Sequence, residues 1–228
     1  MRADLKDKKL DRLITKLSHL WQGEQDHLLI AKTVQALNAR YDLNRKIANE
    51  PGVEEIIKQM FGRLADSFEK LSNIQNKRIL DIACGSNTSK APASLHIDTP
   101  FGEVKIGRST KDYTAQFEPW FCRILFELGA NPVGVDFGDL EHEAFTHYHV
   151  DLGKIGALDF LPDRSFDAIQ DSRLFGSPEF TAQFPNQADR LKIAQEIKRQ
   201  EQRLLMANGI VIHSDATGAI FSNAPASH

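Results

Sequence analysis

Four aspartates stand where short apolar runs stop: Asp81 in "RILDIA", Asp136 in "PVGVDF", Asp151 in "HYHVDL" and Asp171 in "FDAIQD". An aspartate in such a place is commonly a turn former or a helix cap, so chemistry has to be argued from what surrounds it. Asp81 opens "LDIACGSN", a turn with a single glycine, Gly85. A loop that cradles a dinucleotide's pyrophosphate needs small residues in the pattern GxGxxG, which would fall on Ala83, Gly85 and Thr88; two of the three glycines are missing. The next helical stretch starts near Glu118, so no helix N-terminus comes directly after the turn. A carboxylate at Asp81 would repel a pyrophosphate and attract an ammonium group. The ligand such a turn suits is a nucleoside carrying a cationic group.

The same residues carry a family resemblance. "LDIACGSN" resembles the first motif of class I S-adenosylmethionine-dependent methyltransferases, an acidic residue followed by xGxGxG, with Asp81, Ala83, Gly85 and Asn87 in the motif positions and Cys84 between the two small residues. Alanine for glycine is a small change, and asparagine tolerates a left-handed backbone. The resemblance implies that Asp81 and the loop backbone hold the methionine moiety of S-adenosyl-L-methionine. It also implies that Asp136 accepts hydrogen bonds from both ribose hydroxyls, that Phe137 lies against the adenine, and that Asp151, with Leu152 beside it, stands near the adenine amino group. "LPDRSFDAIQDSRLF" is similar to the family's fourth strand, and Asp171-Ser172 at its end would face cofactor and substrate. The likeness covers about Lys77 to Ser214, with its pieces in the family's order.

Two departures qualify what is implied. Residues 90–116 separate the loop from its helix; they hold His96, Arg108, Tyr113 and "FGEVKIG", a candidate hairpin, and are either a lid over the site or a surface excursion. Fourteen residues come after Ser214 where the family adds a helix and an antiparallel strand pair, so five strands are expected, with "GAIFS" as a candidate sixth. The N-terminal helices, the insertion or a partner chain, a homo-oligomer included, could replace the missing substrate platform. Candidates for a general base are Asp171, Tyr113 and His213, but nothing in the sequence selects the acceptor atom or fixes a catalytic residue. His147, His149 and Asp151 share a strand face by their spacing, with His142 nearby, yet they lack a helical HExxH pattern and read as ordinary strand and loop residues, with no metal implied. "SPEF" falls too far past its strand to match the aromatic motif of amino-methyltransferases acting on nucleic acid. Phe175, Phe180 and Phe184 read as packing or as one wall of an apolar pocket.

Positioning these residues requires strands alternating with helices. The five apolar runs, ending with "GIVIHSD", are separated by helical stretches at "EPWFCRILFELGAN" and "NQADRLKIAQEIKRQEQRLLMANG", each with Gly or Asn near its end. That alternation predicts an α/β fold, a doubly wound and mainly parallel sheet with "RILDIA" central between "PVGVD" and "FDAIQ". Before it, apolar residues recur at helical spacing from Leu5 to Leu71, predicting two to four helices, the last with Val53, Ile56, Ile57, Met60, Phe61, Leu64 and Phe68 on one face. The division expected is a helical segment over 1–75 and a Rossmann-like methyltransferase core over 76–228.

Composition narrows the partners. At 41% hydrophobic and 26% charged, the 228 residues suit a globular chain with a sizeable core. The apolar runs are too short to span a bilayer and the start "MRADLKDKKLDRL" is charged, so a cytoplasmic protein without a membrane partner is expected. Residues 1–80 carry a balance of +4 and the rest −7, not the clustered basic footprint of a nucleic-acid binder. The two cysteines, Cys84 and Cys122, make neither a disulfide framework nor a CxxC pair. A methyltransferase with a small-molecule substrate is the expectation; the alternatives are a catalytically inactive relative serving as a scaffold and, against Asp81, a nicotinamide-dependent oxidoreductase.

Overall fold

In the computed structural model, which describes residues 3–86, 94–99, 102–107, 115–138, 140–171, 174–175 and 178–222, the apolar runs become strands. In chain order they are β1 (Arg78–Ile82), β2 (Ser94–Thr99), β3 (Gly102–Gly107), β4 (Asn131–Asp136), β5 (Thr146–His149), β6 (Phe166–Asp171) and β7 (Leu205–His213). Five of them pair in the order β5-β4-β1-β6-β7, and every pairing is parallel. β1 is therefore central, with Ile82 opposite both Val135 of β4 and Asp171 of β6. A sheet of this order, with helices on both faces, is the doubly wound Rossmann-like α/β fold, and its crevice for ligands opens beyond the carboxyl ends of the strands. β2 and β3 form a separate antiparallel hairpin, so the "FGEVKIG" stretch does supply a hairpin strand, paired with the preceding residues of the insertion.

The helices are α1 (Ala3–Ser18), α2 (Glu24–Tyr41), α3 (Leu43–Asn49), α4 (Pro51–Ser67), α5 (Trp120–Glu127), α6 (Pro178–Gln183), α7 (Gln187–Leu204) and α8 (Asp215–Ser222). α4 starts on Pro51, whose missing N–H is no loss in a first turn, and the apolar residues predicted for its inner face, Val53 to Phe68, are all buried. They belong to a cluster that runs from Leu10 of α1 through Phe61 to Ile79 of β1 and Ala168 of β6, so the N-terminal helices and one face of the sheet share a core. On the opposite face Leu80, Ile82 and Val135 meet Ile193 and Ile197 of α7. This division reflects the strand period of two, which sends Ile79 and Leu80 to different sides.

Two expectations about chain ends need correction. "GAIFS" is not a strand: it lies in α8, which Asp171 caps. The glycine of "MANG" does not close α7 either. β7 begins at Leu205, directly after α7, and the register jumps from Phe166↔Leu205 to Ala168↔Ile210, so Gly209 sits in a bulge where any side chain would crowd Leu205 and the Phe166 carbonyl. By contrast the helix "EPWFCRILFELGAN" does close on Gly129, at φ 85°. Among the described residues no helix is long and apolar enough to cross a membrane.

Candidate functional site

The loop leaving β1 turns twice through left-handed backbone, at Ala83 (φ 59°) and Gly85 (φ 103°). Alanine rarely adopts this conformation, and residues held there cluster at functional sites because surrounding structure must enforce them. Two contacts fix the loop. The Cys84 N–H donates to the Val135 carbonyl (3.2 Å), carrying the chain alongside β4. The Ser86 N–H donates to the Phe117 carbonyl (3.1 Å), and a side chain at Gly85 would collide with that same oxygen. Phe117 and Glu118 lie just ahead of Pro119, the N-cap of α5, so the helix does start against the loop, despite its distance in sequence.

Asp136, the last residue of β4, ties the loop to the neighbouring strand end. One carboxylate oxygen accepts from the Gly85 N–H (2.9 Å) and the other from the Gly138 N–H (2.7 Å). Burial raises its pKa, opposed by those N–H groups and by the charge of His149, its partner in register on β5. Phe137 beside it is 62% exposed and lies against the His149 ring at 5.3 Å. The Val150 N–H donates to the Asp136 carbonyl (2.8 Å), which brings Asp151 to the same end of the sheet. Asp151 is half-buried; it accepts from the Gly153 N–H (3.1 Å), with the Lys154 ammonium at 3.3 Å.

Gly85, Asp136, Phe137 and Asp151 thus converge, while four other predicted site residues, Asp81, Cys84, Leu152 and Asp171, are buried elsewhere. Asp81 is 1% exposed and points to the α4–α5 side, as its place two residues from Ile79 requires. There it accepts from the Gln170 amide (3.3 Å) and lies 3.6 Å from the Cys122 thiol, and burial pushes its pKa up to about 7. Leu152 is in the core. Asp171 is buried beneath α8, where it accepts from the Ser214 hydroxyl (3.0 Å), the Asp215 N–H and the Ala216 N–H (3.0 Å). Cys84 is buried in the loop against Cys122, and desolvation raises both thiols, Cys84 to about 11. Asn87, Arg108, Tyr113 and Ser172 lie outside the described residues, and His96 is placed only as a residue of β2.

The remaining candidates are partnered locally. His213 meets Asp215 at 2.8 Å, and His147 meets the Phe145 carbonyl at 3.1 Å. Phe180 packs edge-to-face on Phe175 and at a tilt on Phe184, and Phe184 closes over Gly153, which makes them packing for the segment after Asp151. Among the described residues no three His, Cys, Asp or Glu side chains converge as a metal would need. A cavity of about 450 Å³ lies near Lys77 and Asp167, at the amino ends of β1 and β6. Its position is opposite the loop, at the wrong end of a parallel sheet for its ligand crevice, so the strand ends and not this cavity define the candidate site.

Sequence reasoning missed the support beneath the loop. Glu118, 2% exposed in its side chain, is paired with Lys46 of α3 and with Arg123 of α5, and Arg123 in turn binds Glu143 through Nη2 (2.6 Å). Glu118 and Arg123 are near in sequence, but nothing in the sequence marks Lys46 as their partner. Gly138 was also missed, although "DFG" places it; a side chain there would run into Ser86.

For S-adenosylmethionine the fit is divided. The adenosine half would have a strand-end carboxylate, an exposed aromatic ring and a second carboxylate, and Asp136 has acceptor capacity besides that used by the Gly85 and Gly138 N–H groups. The methionine half lacks Asp81, which is enclosed. Comparison with models of known families, with curated proteins and with solved structures returned no match.

Proposed function

We propose that this chain is a cytoplasmic S-adenosylmethionine-dependent methyltransferase with a small-molecule acceptor. The observation that carries the proposal is the loop backbone: Ala83 and Gly85, which stand in the positions of the first two glycines of the family's motif, both hold positive φ. A sequence without need of that turn has no reason to hold an alanine there at a cost of about 1 kcal/mol. Asp136 and Phe137 would receive the ribose and adenine, and Asp151 would lie near the adenine amino group. The cofactor brings a methyl group already activated on a sulfonium centre. What the chain then contributes is orientation of the acceptor and exclusion of water, with a base only where the acceptor must lose a proton.

One observation favours the rival scaffold function. Asp81 is sealed inside and the Gly85 N–H is already bonded to Asp136, so part of the machinery is internally satisfied. Calorimetric titration of the full chain with S-adenosylmethionine, S-adenosylhomocysteine and NAD separates the two. Dissociation constants on the order of 10 μM for the first two, with none for NAD, are expected of the enzyme. No saturable binding of either sulfur ligand at millimolar concentration would leave the scaffold, and binding of NAD alone would indicate an oxidoreductase.

A further inference from the structure

The loop rests on the peptide between Phe117 and Glu118: the Ser86 N–H bonds the Phe117 carbonyl, and Gly85 leaves no space between itself and the Glu118 backbone. What holds that peptide in place is not the loop's own strand. The Glu118 side chain is gripped by Lys46 from α3 and by Arg123 from α5. Arg123 reaches past it to Glu143, in the connection between β4 and β5, through Nη2 at 2.6 Å and Nε at 3.2 and 3.3 Å. Its guanidinium lies over Tyr41 of α2 (4.1 Å) and Trp120 (4.7 Å), and the Lys46 ammonium lies over the same Trp120 ring (5.4 Å).

Side chains of Arg123, Glu118 and Glu143 are 3%, 2% and 1% exposed, so these charges attract one another with little screening by water or salt. Among the described residues two cations and two anions meet here, and pairing of this kind is what buried charges require. Lys46 is 22% exposed in its side chain and is the member of the set contributed by the N-terminal helices. Burial lowers its pKa while the Glu118 carboxylate opposes that.

We infer that Lys46, with Arg123, is a positioning residue of the candidate site: it fixes Glu118, and through the Phe117–Glu118 peptide it holds Gly85 and Ser86 in the conformation that faces Asp136. The N-terminal helical layer would then be part of the site's machinery and not only a cover for the sheet. The inference rests on the methyltransferase proposal only for its ligand, since the geometry of the loop is measurable without one.

The test uses the full chain as wild type, Lys46→Met, Lys46→Arg and Glu118→Gln. Hydrogen exchange of the apo proteins is monitored by mass spectrometry on peptides covering 83–86 and, for reference, β6 and α7. In Lys46→Met the 83–86 amides are expected to exchange about tenfold faster while the reference peptides do not change, because local opening and global unfolding are separate events. Lys46→Arg, which keeps the charge, is expected to restore the wild-type rate, and Glu118→Gln to behave like Lys46→Met. The dissociation constant for S-adenosylhomocysteine should rise by about tenfold in Lys46→Met and recover in Lys46→Arg, in step with the loop's population. Unchanged exchange at 83–86 in folded Lys46→Met and Glu118→Gln overturns the inference, as does uniformly faster exchange in both, which would mark an ordinary stabilising contact. Faster local exchange in a protein whose wild type binds no S-adenosylhomocysteine would uphold the positioning role and refute the methyltransferase proposal instead.

Discussion

On either side of β1 the sheet ends in an aspartate, and the two strand ends have been put to different uses. On the β4 side Asp136 keeps partial contact with solvent, binds two backbone N–H groups of glycines, and stands next to an exposed phenylalanine. On the β6 side Asp171 is enclosed, takes a hydroxyl and two N–H groups at the start of α8, and shares its surroundings with Glu201. The strands are equivalent in the sheet, so the difference comes from the segment that packs on each strand end. After β4 the chain turns away through Gly138 and leaves the carboxylate partly exposed; over β6 the chain end of β7 folds down as a helix and uses the carboxylate as its cap. One strand end stays partly open to solvent. The other has been spent on structure.

The comparison can be broken most sharply at Gly85. A side chain there meets the Phe117 carbonyl and forces an alanine into φ 103°, two penalties that together come to about 2–5 kcal/mol of stability, read as a lower urea midpoint for Gly85→Ala. A midpoint unchanged from wild type would mean that the loop is free to move away from α5, and that the β4 side is not a built site. The two aspartates should then respond in opposite ways. Asp136→Ala is expected to weaken S-adenosylhomocysteine binding by about 2–4 kcal/mol while lowering stability by only about 1 kcal/mol. Asp171→Ala is expected to do the reverse, costing about 1–3 kcal/mol of stability as the Ser214, Asp215 and Ala216 donors lose their acceptor, with affinity for the ligand unchanged. Equal affinity losses in the two variants would erase the distinction drawn between the strand ends.

The parallel sheet was legible because apolar runs of strand length alternated with helical stretches, and the place of "RILDIA" between "PVGVD" and "FDAIQ" followed from reading it as the first strand of a doubly wound sheet. The end of β4 was legible for the same reason: "PVGVDF" puts a carboxylate and an aromatic in immediate succession where a parallel strand must stop. Asp81 and Asp171 were not, since a strand pattern says where a carboxylate lies along the chain but not whether a neighbour will cover it. Gln170, 89 residues away in sequence, supplies Asp81's amide, and residues 214–216 supply Asp171's donors. "GAIFS" shows the limit most plainly. Its composition suits a strand, yet the preceding Ser214-Asp215 and the waiting Asp171 carboxylate make a helix start there. The pairing of Lys46 with Glu118 joins α3 to the turn ahead of α5 and leaves no local trace at all.

The smallest expected effect separates the enclosed carboxylates from the open one by pH. Asp81 is held near a pKa of about 7 by burial, and Asp171 is raised by burial and then by Glu201. In the unfolded chain both titrate near 3.9. Between about pH 4 and pH 7 the folded protein therefore retains protons that the unfolded chain has released, so these groups contribute stability that is fully present below the unfolded pKa and is lost as pH rises through the folded one. Urea midpoints measured at pH 5.5, 7 and 8.5 should fall as pH rises by an amount on the order of 1 kcal/mol in wild type, and the fall should shrink in Asp81→Asn, which keeps the shape of the side chain and cannot ionise. Asp136→Asn should change the profile less, because the N–H groups of Gly85 and Gly138 favour the ionised form and offset part of its burial. A wild-type midpoint that climbs steadily from pH 5.5 to 8.5 would mean that neither Asp81 nor Asp171 is held protonated by burial, and a profile flattened more by Asp136→Asn than by Asp81→Asn would mean that the carboxylate at the β4 end is the more enclosed of the two.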